Sequence, residues 1–125
     1  MSVTLVTAGL CGLIFFILSL QVSLVRRAQK VSLGDGGNDL LLSRIRAHAN
    51  FAEYVPLALI LIGVIETEAG ESIGLSAAGT LLILSRVAHA IGMHSRSGPF
   101  RAAGTIGTYI VLVGTSIWAI VVAFS

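Results

Sequence analysis

The sequence predicts an all-α integral membrane protein, a bundle of four transmembrane helices, and three observations carry that prediction. Only 14 of its 125 residues are charged and 55% are hydrophobic, whereas a soluble domain carries about 25% charged residues. The mean hydropathy is +0.94. The apolar residues also gather into four stretches, each near the roughly 20 residues needed to cross a hydrocarbon core about 30 Å thick. Disorder is excluded, because it needs low hydrophobicity and high net charge. Nucleic-acid binding is excluded too: the pI near 9.2 rests on a formal charge of only +2, far short of a basic footprint. The one cysteine, Cys11, cannot form an intramolecular disulfide.

The first helix is expected over about 3–27. Val3 to Val25 holds no charge, and Arg26, Arg27 and Lys30 follow it. No basic residue precedes it and no small-residue cleavage site follows, so it reads as a retained helix and not a signal peptide. The run Gly34-Asp35-Gly36-Gly37-Asn38 then breaks the chain, and either Asn38 or Asp39 suits the N-cap of a second helix over about 39–66. Its first half is polar, while Val55 to Ile65 is apolar. Pro56 removes a backbone bond and should kink the helix just beyond Glu53, freeing the Ala52 carbonyl. A third helix is expected over about 72–95, with Arg86 and His89 near its end. Ser97-Gly98-Pro99 separates it from a fourth over about 99–124, where Pro99 sits in the first turn and its missing N–H costs little. The chain reads as one domain, 1–125. Its loops are short, so any site must be built from helix faces and helix ends.

Charge then sorts the two membrane sides. All eight Lys and Arg residues (26, 27, 30, 44, 46, 86, 96 and 101) lie around the first and third loops, with Asp35, Asp39 and Glu53; the second loop holds Glu66, Glu68 and Glu71 and nothing basic. The positive-inside rule makes the basic side cytoplasmic and puts both termini on the other side.

Ionisable groups inside a span are expensive and mark interior or functional positions. At 100° per residue, Arg46, Asn50 and Glu53 fall within an arc of about 60° and form a line about 10 Å long. Arg44 and His48 point the other way. The alternative role for Arg46 and Glu53 is glue between helices, but three such residues beside a proline favour a site. Arg86, His89 and Met93 share a face of the third helix; for Arg86 and His89 a structural role is favoured, with Arg86 free to snorkel to the interface. No metal site is expected, since His48, His89 and His94 lack paired ligand spacing and Cys11 lies at another membrane depth. Cys11 has no basic neighbour in sequence and reads as a packing residue. On the fourth helix Thr105 and Thr108 lie below Arg101, while Gly104, Gly107 and Gly114, with Ala77, Ala78 and Gly79, allow close helix packing.

Arginines bind carboxylates in bidentate geometry, and a buried glutamate suits an ammonium. A ligand with two carboxylates, an amine and peptide amides would match, and glutathione is such a molecule. Other dicarboxylates and lipid headgroups match as well. An arginine close to the sulfur would favour the thiolate, the nucleophilic form.

The run Arg46-Ala-His-Ala-Asn50-Phe-Ala-Glu53-Tyr54-Val-Pro56 resembles the second-helix signature of the MAPEG family, the membrane-associated proteins in eicosanoid and glutathione metabolism. Ser85-Arg86-Val-Ala-His89-Ala-Ile-Gly followed by Pro99-Phe-Arg101 is similar to that family's junction between third and fourth helices. The Gly34-Asp35-Gly36-Gly37 loop and the short connections look most like its small bacterial members, which implies a bacterial inner membrane.

The resemblance implies a homotrimer of four-helix subunits that binds glutathione as co-substrate between neighbours, near the cytoplasmic face. It gives Arg46, Asn50, Glu53 and Tyr54 the tripeptide from the second helix, Arg26 or Arg27 a contact from the first, and His89 one from the third. Arg101 matches the arginine that stabilises the thiolate across the subunit boundary. Two features depart from active relatives. Met93 stands where a tyrosine is frequent, and Ala102 and Thr105 stand where serine and tyrosine can occur.

The leading expectation is therefore a glutathione-dependent transferase or peroxidase acting on lipophilic electrophiles. A non-enzymatic membrane protein that binds a lipid or an anionic small molecule is the alternative. A transporter ranks third, since no inverted repeat or pair of broken helices is present.

Overall fold

The computed structural model describes residues 1–125 as four helices: α1 Ser2–Gln29, α2 Asp39–Ala69, α3 Ile73–Ser95 and α4 Gly98–Ala123. Each is long and apolar enough to cross a membrane. The chain is an integral membrane protein with four spans.

The boundaries follow from local chemistry. Asn38 takes the N-cap of α2, its side chain accepting from the Leu41 N–H at 2.9 Å, which leaves Asp39 in the first turn. Ser72 caps α3, its hydroxyl accepting from Leu75 N–H at 3.1 Å, so α3 starts one residue later than expected. Lys30 ends α1 in the left-handed conformation with φ 55°, and its N–H and that of Val31 return to the carbonyls of Arg27 and Arg26. Gly34, Gly36 and Gly37 all have positive φ, the conformation for which glycine has no steric penalty. α2 runs unbroken through Pro56 and continues past residue 66 to Ala69.

That extension corrects the reading of Glu66 as a loop charge. Glu66 lies within α2 and its side chain is fully buried. Its carboxylate accepts from the backbone N–H groups of Val3 at 2.9 Å and Thr4 at 2.8 Å, and from the Thr4 hydroxyl. It thus satisfies N–H groups that the first turn of α1 cannot satisfy internally, where the helix dipole also favours negative charge.

α2 and α3 form the central pair. α2 packs on α1, α3 and α4, α3 packs on α1, α2 and α4, and α1 and α4 make no contact. The interior is apolar, built on Leu18, Phe51, Val55, Ala58, Ile62, Ile65, Leu75, Leu82 and Val111. Glycine brings α3 and α4 together. A Cβ at Gly104 would strike the backbone of Ser85 and His89, one at Gly107 would strike the Ser85 side chain, and one at Gly92 would strike the Arg101 backbone. The small residues thus act in helix packing as expected at Gly104 and Gly107, whereas Gly114 meets no atom within 4 Å. Cys11 is buried at 1% exposure, in keeping with a packing role.

Candidate functional site

The polar residues at the basic end separate into a buried layer and a cleft above it. Arg86 anchors the buried layer. It is 1% exposed, so it does not snorkel to the interface. Its Nη2 donates to Asn50 Oδ1 at 2.8 Å, its Nη1 donates to Thr108 Oγ1 at 3.3 Å, and its guanidinium lies 5.5 Å from the Phe51 ring centroid. One side chain thereby ties α3 to α2 and α4. Thr108 can accept because its own hydroxyl proton goes to the Gly104 carbonyl at 2.8 Å. No carboxylate pairs with Arg86, and its Nε has no hydrogen-bond partner. The structural role expected for Arg86 therefore holds, and Asn50 proves to be its partner.

Around this layer α2 turns its other polar residues as helical spacing requires. Arg44 is 8% exposed. His48 points the same way and stacks on Phe15, with ring centroids 4.6 Å apart and planes 20° apart. On the opposite side Arg46 and Glu53 are exposed and Asn50 is half-buried. The hydroxyl of Tyr54 lies 3.3 Å from that of Tyr109 on α4. His89 is 4% exposed, under Gly104. Cys11, Phe51, Ala52 and Val55 line one apolar cavity of about 250 Å³, so Cys11 lies level with the middle of α2. No three His, Cys, Asp or Glu side chains come close enough to hold a metal ion.

Above Arg86, the start of α2, the end of α3 and the start of α4 enclose a cleft of about 400 Å³. Asp39, Leu42, Ser43, Arg46, Gly92, Met93, Arg96 and Arg101 line it. The Ser43 hydroxyl donates to the Met93 carbonyl at 3.0 Å and joins α2 to α3 at its wall. Arg101 can stand so close to α3 because residue 92 has no side chain. Arg46, Arg96, Arg101 and Asp39 form no ion pair and no side-chain hydrogen bond to another side chain within the chain.

Two of the residues expected in a site, Arg46 and Arg101, therefore share one cleft. Asn50, Glu53, Tyr54 and His89 do not line it, and neither do Arg26 and Arg27. Those two arginines border a separate open groove with Ser23, Lys30, Val31 and Ser32, and Arg26 Nη1 donates to the Gly34 carbonyl at 2.6 Å, bracing the first loop. Sequence reasoning missed Arg96 and Asp39 as cleft residues. Both fall at helix ends, where side-chain direction depends on cap geometry: Arg96 ends α3 in the left-handed conformation with φ 57°. The signal was available only as the basic character of the third loop.

Comparison with known proteins agrees with an integral membrane protein. The MAPEG family model matches residues 4–121. The chain is 33% identical over 106 residues to the inner membrane protein YecN of Escherichia coli K12, covering 85% of this chain and 81% of that one. The YecN protein of E. coli O6:H1 strain CFT073 matches to the same extent.

Proposed function

The chain belongs to the MAPEG family, and from that membership we propose that it is a glutathione-dependent transferase or peroxidase acting on lipophilic electrophiles, with detoxification as its role. The observation that carries the reading is the shared cleft of Arg46 and Arg101, two guanidinium groups with no partner inside the chain. Arginine is suited to carboxylates and thiolates, which it meets with a fixed fork of donors.

In this reading Arg101 stabilises the glutathione thiolate. The thiol proton goes to bulk water, and a cation beside the sulfur favours that ionisation. The sulfur lone pair then forms a bond to an electrophilic carbon, and the leaving group departs with the electron pair of the bond that breaks. The cleft opens at a helix end, where a soluble tripeptide from the cytoplasm and a lipophilic acceptor from the bilayer can meet. Holding both reactants in one place supplies much of the rate gain.

The reading includes a homotrimer in a bacterial inner membrane with both termini on the non-cytoplasmic side. Exposed Glu53 and half-buried Asn50 support association, because a carboxylate on an uncovered helix face in lipid is costly. A neighbouring copy would cover that face and make it, with Tyr54, one wall of a groove between subunits. Arg26, Arg27 and His89 join the ligand in this scheme only across or beneath such a boundary. The charge asymmetry supports the orientation.

The test is the ultraviolet difference spectrum of bound thiolate on adding glutathione to purified protein. Wild type should give the signal and conjugate a chlorodinitrobenzene-type electrophile. Arg101→Ala should lose the signal and about 100-fold in turnover, the loss usual when one charge-stabilising group is removed. Absence of both glutathione binding and turnover in wild type would leave the alternative, a membrane protein that binds a lipid or anionic small molecule.

A further inference from the structure

Two tyrosines meet on an otherwise apolar face of the bundle. Tyr54 lies near the middle of α2 and Tyr109 near the middle of α4, deep in the span, whereas tyrosines of membrane proteins collect at the interfaces. Their ring centroids are 5.6 Å apart with planes inclined by 59°, and their hydroxyls are 3.3 Å apart. Neither hydroxyl has another partner within the chain. Whichever gives its proton to the other, the pair keeps one O–H donor unused. Tyr109 is the open member, 45% exposed. Ile106 and Val113, one turn to either side of it on α4, are exposed too, as is Leu57 one turn on from Tyr54. A hydroxyl without a partner in an apolar environment is costly. The face therefore suits a molecule that is apolar except for a hydrogen-bond acceptor.

Resting on the glutathione reading, in which Tyr54 belongs to the wall of the groove between subunits, we propose that Tyr109 is a catalytic residue that donates to the carbonyl oxygen of the lipophilic acceptor. The acceptor is then an α,β-unsaturated carbonyl compound with an apolar chain. A conjugated carbonyl brings an acceptor and no donor, the complement of a pair with one donor to spare. Tyr54 gives its proton to Tyr109, and the more exposed Tyr109 turns its own O–H outward. A hydroxyl that accepts one hydrogen bond donates a stronger one. The glutathione sulfur forms a bond to the β-carbon, the double-bond electrons move toward the carbonyl, and its oxygen takes the negative charge as an enolate. Tyr109 stabilises that oxygen, where charge develops only as the reaction proceeds. The α-carbon then takes a proton from water, replacing the one the thiol released, so that sulfur and hydrogen have added across the double bond.

Glutathione conjugation by the purified full-length protein in detergent tests this with two probes. One is methyl heptenyl ketone with its double bond conjugated to the carbonyl. The other is octyl iodide, which has a similar chain, no oxygen, and iodide as leaving group. The readout is the ratio of ketone to iodide kcat/KM, which does not depend on how much of a variant is folded. Tyr109→Phe keeps the ring and removes the hydroxyl. It should lower the ratio about tenfold, less than the roughly 100-fold usual for a sole oxyanion donor, because the Tyr54 hydroxyl stays beside the site. Tyr54→Phe should lower the ratio by less than Tyr109→Phe.

An unchanged ratio in Tyr109→Phe would overturn the proposal, whether or not both rates fall. So would a wild type that gives the thiolate signal with glutathione and converts the iodide alone or neither probe, and glutathione binding would then still stand. Absence of the thiolate signal and of both turnovers in wild type would overturn the glutathione reading as well.

Discussion

The two ends of this bundle treat charge in opposite ways. At the acidic end Glu66 is buried and saturated: two backbone N–H groups, the Thr4 hydroxyl and the terminal amine of Met1 at 3.1 Å all meet its carboxylate. Nearby, Glu71 takes the Ser2 hydroxyl at 2.7 Å and the Ser2 N–H at 3.0 Å. At the basic end three arginines and Asp39 face a cleft with no such partners. Both ends carry helix termini with unsatisfied backbone groups and neighbouring charges. One end spends its charge on closing the fold, and the other leaves it available. Formal charge alone therefore does not mark a candidate site; several charges without internal partners around one cleft do.

That contrast can be broken first by spreading the helices that hold the basic end together. Gly104→Val puts a branched side chain into the backbone of Ser85 and His89, atoms that cannot turn aside. Overpacking of this kind costs about 3 kcal/mol, and thermal unfolding in detergent should show the largest loss of the series, together with loss of any thiolate signal. A midpoint close to wild type would show that α3 and α4 are not held by this contact.

Asn50→Leu tests the layer beneath the cleft. It removes the acceptor from Arg86 and leaves a buried cation with Thr108 alone, at a cost of about 2 kcal/mol for a hydrogen bond to a charged group. Denaturation should detect it. If glutathione affinity falls with no loss of stability, Asn50 serves the ligand and not the fold.

Glu66→Gln addresses the opposite end. The amide keeps one acceptor where the carboxylate offered two oxygens to three donors and the amine, so the start of α1 should loosen. A drop in midpoint of roughly 5 °C is expected, with glutathione binding unchanged. Altered binding would show that the two ends are coupled and the contrast false.

The smallest effect is a pH dependence of the acidic end. Hydrogen bonding from the Ser2 hydroxyl holds the Glu71 carboxyl below its ordinary value of 4.5, so its contribution is present above about that pH and is lost as pH falls through the lowered folded value. The Met1 amine is raised above its ordinary 8.0, chiefly by its hydrogen bond to Glu66. Its contribution is present below about pH 8 and is lost as pH rises through the raised value. Stability should therefore be flat between those limits and decline slightly on each side, and Glu71→Gln should reduce the acid limb in a pH series of melting curves. A decline that persists unchanged in Glu71→Gln would assign it to other groups.

Several parts of this molecule could be read without coordinates because they depend on short-range or averaged properties. Four spans followed from hydropathy, since every backbone polar group in lipid must be satisfied inside its own helix. The pair Asn38 and Asp39 marked the start of α2, because a cap is a contact over three residues, and Pro99 marked that of α4, because a first-turn proline loses no helical hydrogen bond. The 100° rotation per residue put Arg46 and Glu53 on one side of α2 and Arg44 and His48 on the other. What the residues meet across the bundle could not be read this way. Helical period says which face a side chain occupies, and says nothing of which helix covers that face.

It took helix packing to make Asn50 accept from Arg86, to bring Glu66 onto the start of α1 from more than 60 residues away, and to place Arg46, Arg96 and Arg101 around one cleft. Each of these joins different helices and so depends on interhelical approach, which between α3 and α4 the glycines at 92, 104 and 107 permit. Hydropathy set the solvent of this protein, and the distribution of its basic residues set which end of the bundle carries them. The packing of α2, α3 and α4 decided which of the charges at the basic end have partners within the chain and which do not.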